Sequence, residues 1–100
     1  MRVRWLRSAL ADLEAIQDYL IDKNPPAARR LVGLIRNGVT RLVDMPHRGR
    51  PGRWPGTREL LIPGTPYIIP YRVRGEIIEI LRVWHGARCW PARPPRPGEL

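Results

Sequence analysis

Polar and apolar residues alternate over Arg2-Val3-Arg4-Trp5, the period of two that marks a short, half-buried strand. The period then lengthens. Ala9, Leu13, Ile16 and Leu20 recur at helical spacing, with Leu10 and Ile21 widening the stripe, so residues 8–22 are expected to form an amphipathic helix. Asp12, Glu14, Asp18 and Asp22 lie off the stripe, and Ser8 is placed to cap the first turn. Asn24-Pro25 marks a second helix start, since an Asx side chain accepts from orphan amides and proline at the first helical position sacrifices no hydrogen bond. Its stripe runs through Ala28, Leu31, Ile35, Val39 and Leu42 and stops before Pro46. Gly33 and Gly38 each weaken this helix by about 1 kcal/mol relative to alanine, so tertiary packing has to hold it. The short link between the helices predicts an antiparallel hairpin with facing apolar stripes.

Proline and glycine are frequent over residues 46–56, which predicts a loop without regular structure that exposes Arg48, Arg50 and Arg53. Segments 59–62, 67–73 and 76–84 are rich in Ile, Val, Leu, Tyr and Trp and predict three antiparallel strands. Arg74-Gly75 joins the last two as a tight hairpin in which glycine supplies positive φ. Pro70 cannot donate to a ladder, so a bulge or an outward position is expected there. The result is one α+β domain over residues 1–91, ordered β-α-α-β-β-β, with the helix hairpin packed on a small antiparallel sheet. Residues 92–100 carry proline without periodicity and predict an irregular tail.

Composition narrows the class. Hydrophobic residues make up 43% of the chain and charged residues 27%, a balance that folds. Apolar runs fall far short of the roughly 20 residues that span a bilayer, so no membrane association is expected. Arg7, Asp12, Glu14 and Asp18 interrupt the one stretch resembling a secretory signal, and the expected location is the cytosol. Cys89 is the only cysteine, which excludes an internal disulfide and a four-thiolate metal site, and no metal is expected. The net charge of +9 is uneven: residues 1–24 balance, whereas residues 25–60 carry eight arginines against Asp44 and Glu59. That middle implies a polyanion or an acidic protein partner. A GC-rich genome that encodes Arg in place of Lys gives the same composition, so both explanations stand.

Ser8, Cys89, His47 and His85 form no recognisable nucleophile, base and orienter set. Pro51-Gly52-Arg53-Trp54-Pro55-Gly56 matches no phosphate-binding glycine loop, so no nucleotide cofactor is expected. What remains is arginine and aromatic. Guanidiniums clamp phosphates and aromatic faces stack on bases, each stack worth about 1–3 kcal/mol. Arg50, Arg53, Arg58, Tyr67, Arg72, Arg82, Trp84, Arg88 and Trp90 are therefore the candidate target- or partner-binding residues, with Trp54 and Tyr71 of the same character. Tyr67, Tyr71 and Trp84 read first as filling of the sheet core. His85, which follows a strand, serves either proton transfer or a turn hydrogen bond. Cys89 beside Trp90 reads as a small buried hydrophobe.

Gly56-Thr57-Arg58-Glu59-Leu60, Pro63-Gly64-Thr65-Pro66-Tyr67, Tyr71-Arg72-Val73 and the stretch from Ile80 to Arg88, followed by Trp90-Pro91, resemble the RelE/ParE toxin family of type II toxin-antitoxin pairs, in its ParE branch. Weaker likenesses at Trp5, Asn24-Pro25 and Met45-Pro46 extend the resemblance over nearly the whole chain, although Leu6 stands where relatives commonly carry Ser or Thr. The resemblance implies two antiparallel helices on a small antiparallel sheet, and a cognate antitoxin that wraps and neutralises the toxin. RelE-like members cut messenger RNA on the ribosome with basic side chains and usually a C-terminal tyrosine; ParE-like members are associated with poisoning of DNA gyrase. Arg58 and Arg88 occupy positions comparable to two basic residues of the RelE site, and His85 would be the proton donor or acceptor of such an enzyme. Tyr67-Ile68-Ile69 stands where RelE-like enzymes place another arginine, and no tyrosine follows Arg88. The expectation is a gyrase inhibitor without catalytic residues; the alternatives are a ribosome-dependent endoribonuclease and a binding module that has lost toxicity.

Overall fold

The computed structural model describes residues 1–86 and Trp90; Arg88, Cys89 and the 92–100 segment lie outside the described residues. The chain runs through β1 (Arg2–Trp5), α1 (Arg7–Ile21), α2 (Pro25–Arg41), β2 (Arg50–Pro51), β3 (Arg58–Leu61), β4 (Tyr67–Arg74), β5 (Ile77–Ile80) and β6 (Trp84–His85). Strands lie in the order β1-β5-β4-β3-β2, with β6 also beside β4. The α+β architecture with its helix hairpin is as expected. The sheet is mixed, however, because β1 runs parallel to β5, from Arg2 opposite Ile77 to Trp5 opposite Ile80. Alternation in the sequence marks a strand but carries nothing about its neighbour's direction. Among the described residues no helix is long and apolar enough to cross a membrane.

The two helix stripes bury Ala9, Leu13, Ile35, Val39 and Leu42 against one sheet face, formed by Leu60, Ile69, Tyr71, Ile78 and Ile80. Asn24 caps α2 as expected, its side chain accepting from the Ala27 amide at 3.2 Å. Ser8 does not cap α1. That helix starts at Arg7, with Leu6 at the N-cap position and no side-chain cap.

Pro70 explains where the serine goes. Between the pairs Ile68–Trp84 and Tyr71–Ile80, β4 contributes Ile69 and Pro70, whereas the facing chain contributes Leu81, Arg82 and Val83. This extra residue is a bulge, and it divides the expected 76–84 strand into β5 and β6. The Leu81 amide donates to the Pro70 carbonyl at 2.9 Å. In an antiparallel pair the reciprocal bond would run from the Pro70 nitrogen to the Leu81 carbonyl, but proline has no proton to give. The Ser8 hydroxyl donates to that carbonyl instead, at 2.8 Å. Ser8→Ala is therefore expected to lower unfolding free energy by about 1–3 kcal/mol, the cost of a buried acceptor left unmade. Urea unfolding checks this: a lower midpoint at unchanged slope is the expected result, and a midpoint equal to that of the parent would sink it.

Two further boundaries shift. The 46–56 segment is not wholly irregular, since β2 pairs with β3, Arg50 opposite Glu59 and Pro51 opposite Arg58. The β4–β5 loop is Gly75-Glu76, one position later than expected, because Arg74 already pairs with Ile77. Positive φ falls on Gly75 alone of the two, at 59°, as a type II′ turn requires of its first position.

Candidate functional site

Three carboxylates organise the arginines of this chain. Glu59, on β3, is only 2% exposed. Its Oε1 accepts from Arg50 Nε and Nη2 at 3.2 and 3.0 Å, and its Oε2 accepts the Arg53 backbone amide at 2.9 Å. The Arg53 guanidinium lies further off, at 3.7 Å. Both arginines stay largely exposed, so the ion pairs themselves add little; the buried acceptor chiefly fixes the course of the basic loop. Glu79, on β5, holds Arg72 at 2.6 Å and the more distant Arg74 at 3.6 Å. Asp12, from α1, clamps Arg82 with two bonds of 2.7 Å and also accepts the Val83 amide of the bulge at 3.0 Å.

A tyrosine latch sets the position of Arg58. The buried Tyr71 hydroxyl donates to the Pro46 carbonyl at 2.8 Å and accepts the Gly49 amide at 2.9 Å, tying the basic loop to β4. A Cβ on Gly49 would stand 2.7 Å from the Tyr71 ring and hydroxyl, so only glycine allows this approach. The loop thereby presents two carbonyls, of His47 and Gly49, which accept from Arg58 Nη1 at 3.2 and 2.9 Å. Arg58 and Arg72 then line one notch of about 260 Å³ with His47, Pro51, Gly56, Thr57 and Val73.

Burial pushes the Tyr71 hydroxyl above its ordinary pKa of 10.0, against the smaller opposing effects of the Gly49 hydrogen bond and the nearby Arg58 charge. The folded state therefore favours the neutral phenol. Its contribution to stability is fully present below pH 10 and is lost as pH rises through the higher folded value. Tyr71→Phe is expected to remove the highest-pH step of an ultraviolet phenolate titration and part of the alkaline loss of stability. An unchanged titration in that variant would contradict the latch.

The other candidates separate into two places. Trp54, Trp84 and Trp90 pack as a cluster on the face away from the helices, with ring centroids 5.0 to 5.8 Å apart, joined by Leu6 and Leu81. Arg53 lies 4.1 Å above the Trp90 ring, and Arg82 lies 4.4 Å above Trp84. Trp84 and Arg82 are thus engaged inside the domain. Tyr67 and His85 meet at the far end of β4, with ring centroids 6.0 Å apart. Arg58 pairs opposite Tyr71 and His85 opposite Tyr67, four residues apart along β4. At about 3.3 Å per residue these positions are roughly 13 Å apart. Sequence reasoning missed His47, Glu59 and Asp12; the one available signal was an acidic residue at position 59 inside an apolar strand.

An apolar groove of about 270 Å³ runs between α2 and β3, with Leu34, Gly38, Leu61 and Ile62 along it and Arg41 and Arg48 at its margins. Leu34 and Leu61 are 37% and 48% exposed. Because β2 covers only Arg58 and Glu59, the outer edge of β3 is open at Leu61.

Comparisons with known proteins agree with this architecture. The family model for the ParE toxin of the type II toxin-antitoxin system, parDE, matches residues 3–90. The Y4kP protein of Sinorhizobium fredii is 44% identical over 90 residues, covering 90% of this chain and 93% of that protein. Toxin RelE2 of Caulobacter vibrioides is 37% identical, covering 87% of this chain and 97% of the relative. Among solved structures, a chain of the chromosomal ParDE system from P. aeruginosa superposes with a TM-score of 0.76 at 38% identity, covering 85% of this chain and 95% of that one.

Proposed function

The chain belongs to the ParE toxin family of type II toxin-antitoxin systems, and from that premise we propose that it arrests growth by inhibiting DNA gyrase and is silenced by a cognate antitoxin. The observation that carries the choice of a non-nucleolytic toxin is the strand register. A ribonuclease site needs its phosphate clamp and its proton carrier on one reacting group, within hydrogen-bond reach. Here Arg58 and His85 stand on positions about 13 Å apart along β4, by strand rise. Tyr67-Ile68-Ile69 stands where RelE-like enzymes place another arginine, and Ile68 and Ile69 are buried. The exposed guanidiniums of Arg50 and Arg53 and the Arg58 notch then act as contact surface.

The antitoxin segment docks along the α2–β3 groove. An extended chain there gains backbone bonds from the open β3 edge and apolar contacts at Leu34 and Leu61. Arg41 and Arg48 favour acidic residues in that segment and steer its approach. Leu61→Asp, which places a charge on an already exposed position, is expected to weaken antitoxin affinity by about tenfold or more, one or two lost anchor contacts. Titration calorimetry with the purified pair reads this directly, and equal affinities would move the docking site elsewhere.

A second reading rests on the relatives named RelE in Caulobacter vibrioides. It takes Arg58, Arg88 and His85 as the residues of a ribosome-dependent messenger endoribonuclease. Induced expression in a bacterial host, with and without the neighbouring gene, separates these accounts. Growth arrest that the neighbour relieves, with altered supercoiling of a reporter plasmid, is expected. Arrest with normal supercoiling turns the assignment to RNA cleavage, and absence of arrest leaves a binding module.

A further inference from the structure

We propose that the outer edge of β1 docks an extended, acidic segment of a partner protein, which adds to the sheet as a further strand. β1 ends the strand order, with β5 on one side of it and, among the described residues, no strand on the other. The Arg2 amide donates to the Glu76 carbonyl at 2.9 Å, and the Leu6 amide donates to the Ile80 carbonyl at 3.0 Å. These bonds direct the backbone groups of Arg2, Arg4 and Leu6 towards β5, so alternation turns the N–H and C=O of Val3 and Trp5 to the open side. A cavity of about 330 Å³ lies along this edge, lined by Arg2, Val3, Arg4 and Ile77.

The side chains define the occupant. Val3 and Trp5 are half-buried and pack against the core on the helix side. Arg2 and Arg4 are exposed on the opposite face, and among the described residues neither forms an ion pair. Arg4 stands opposite Glu79 in the ladder, but that carboxylate is held by Arg72 and Arg74. A strand laid on this edge therefore meets backbone donors and acceptors, cations at alternate positions on one face and an apolar margin on the other. An extended peptide with carboxylates at every second position and apolar residues between them answers all three. A nucleic-acid backbone brings phosphate acceptors alone, so it would leave the Val3 and Trp5 carbonyls without donors. A second copy of this chain, paired antiparallel about Val3, would set Arg2 against Arg4 and Arg4 against Arg2, and like charges directly opposite repel. β5 and β4 lie between β1 and β3, so this edge is separate from the α2–β3 groove and stands whether or not an antitoxin fills that groove.

The test is amide-resolved NMR of the intact protein with a synthetic peptide of alternating glutamate and valine. With peptide at about ten times its dissociation constant, hydrogen exchange at the Val3 and Trp5 amides is expected to slow about tenfold. The Arg2 and Arg4 amides, already bonded to β5, should change little. A peptide of the same composition with its glutamates contiguous is expected to bind about fivefold more weakly or worse. Val3→Pro removes only an outward N–H, a loss that an edge strand tolerates, and is expected to weaken binding by about tenfold or more. If that variant fails to fold, Arg2→Glu combined with Arg4→Glu, both on exposed side chains, is expected to weaken binding by about fivefold or more. Equal affinity for the two peptides, constants indifferent to the substitutions, or exchange slowed at Leu61 and not at Val3 would each overturn the proposal. So would tighter binding of a single-stranded oligonucleotide of equal charge at this edge, or protection of Val3 that grows with protein concentration in the absence of peptide, which would give the edge to nucleic acid or to a second copy.

Discussion

Asp12→Ala is expected to lower the unfolding free energy by about 3–5 kcal/mol, the range for breaking a buried ion pair from one side. Asp12 and Arg82 are 13% and 24% exposed at the side chain, so water replaces little of what is lost. Three bonds go at once: two from the guanidinium and one from the Val83 amide, which belongs to the bulge and has no other strand to turn to. Domains of this size hold only about 5–15 kcal/mol in total, so roughly a fifth or more of the stability is at stake. A fall in Tm on the order of 10 °C or more follows at roughly 4–8 °C per kcal/mol. Asp12→Asn keeps an acceptor for Val83 and should lose less. Scanning calorimetry of both variants decides the matter; a decrease under 1 kcal/mol for the alanine variant would mean that the clamp is incidental.

Trp54→Ala should cost a similar 3–5 kcal/mol, the usual range for removing a buried tryptophan. Trp54 is 3% exposed, meets both Trp84 and Trp90, and covers the sheet face that the helices leave open. Its removal also frees the loop that carries Arg50 and Arg53, so the target contacts proposed for that loop should weaken in step. Trp54→Phe fills much of the volume and is expected to recover at least half of the loss. Chemical denaturation followed by the fluorescence of the two remaining cluster tryptophans measures both variants. Because Arg82 lies over Trp84, the Asp12 and Trp54 substitutions share one network and are expected to be non-additive.

What the sequence made legible was local. The 3.6-residue stripes of both helices, the Asn24 cap and the strand character around Pro70 are written in neighbouring residues, and each appears in the fold. The bulge at Pro70 was accessible because a missing N–H is a covalent fact of that residue. Features that depend on distant partners were not. Asp12 looked like a solvated position off an apolar stripe, yet its partner is 70 residues away. Ser8 looked like a cap, but a carbonyl 73 residues away claims its hydroxyl. Arg82 and Trp84 were visible as basic and aromatic, but only the packing of the bulge against α1 shows that they point to internal partners. The separation of Arg58 from His85 likewise depends on register, which a one-dimensional reading leaves unfixed.

The most direct measurement of the central claim is supercoiling of relaxed plasmid by purified gyrase in the presence of the purified protein, with its antitoxin added in a second arm. Supercoiling is expected to be lost at near-stoichiometric toxin and to return when the antitoxin is added. Undiminished supercoiling at a large excess of folded protein would contradict it.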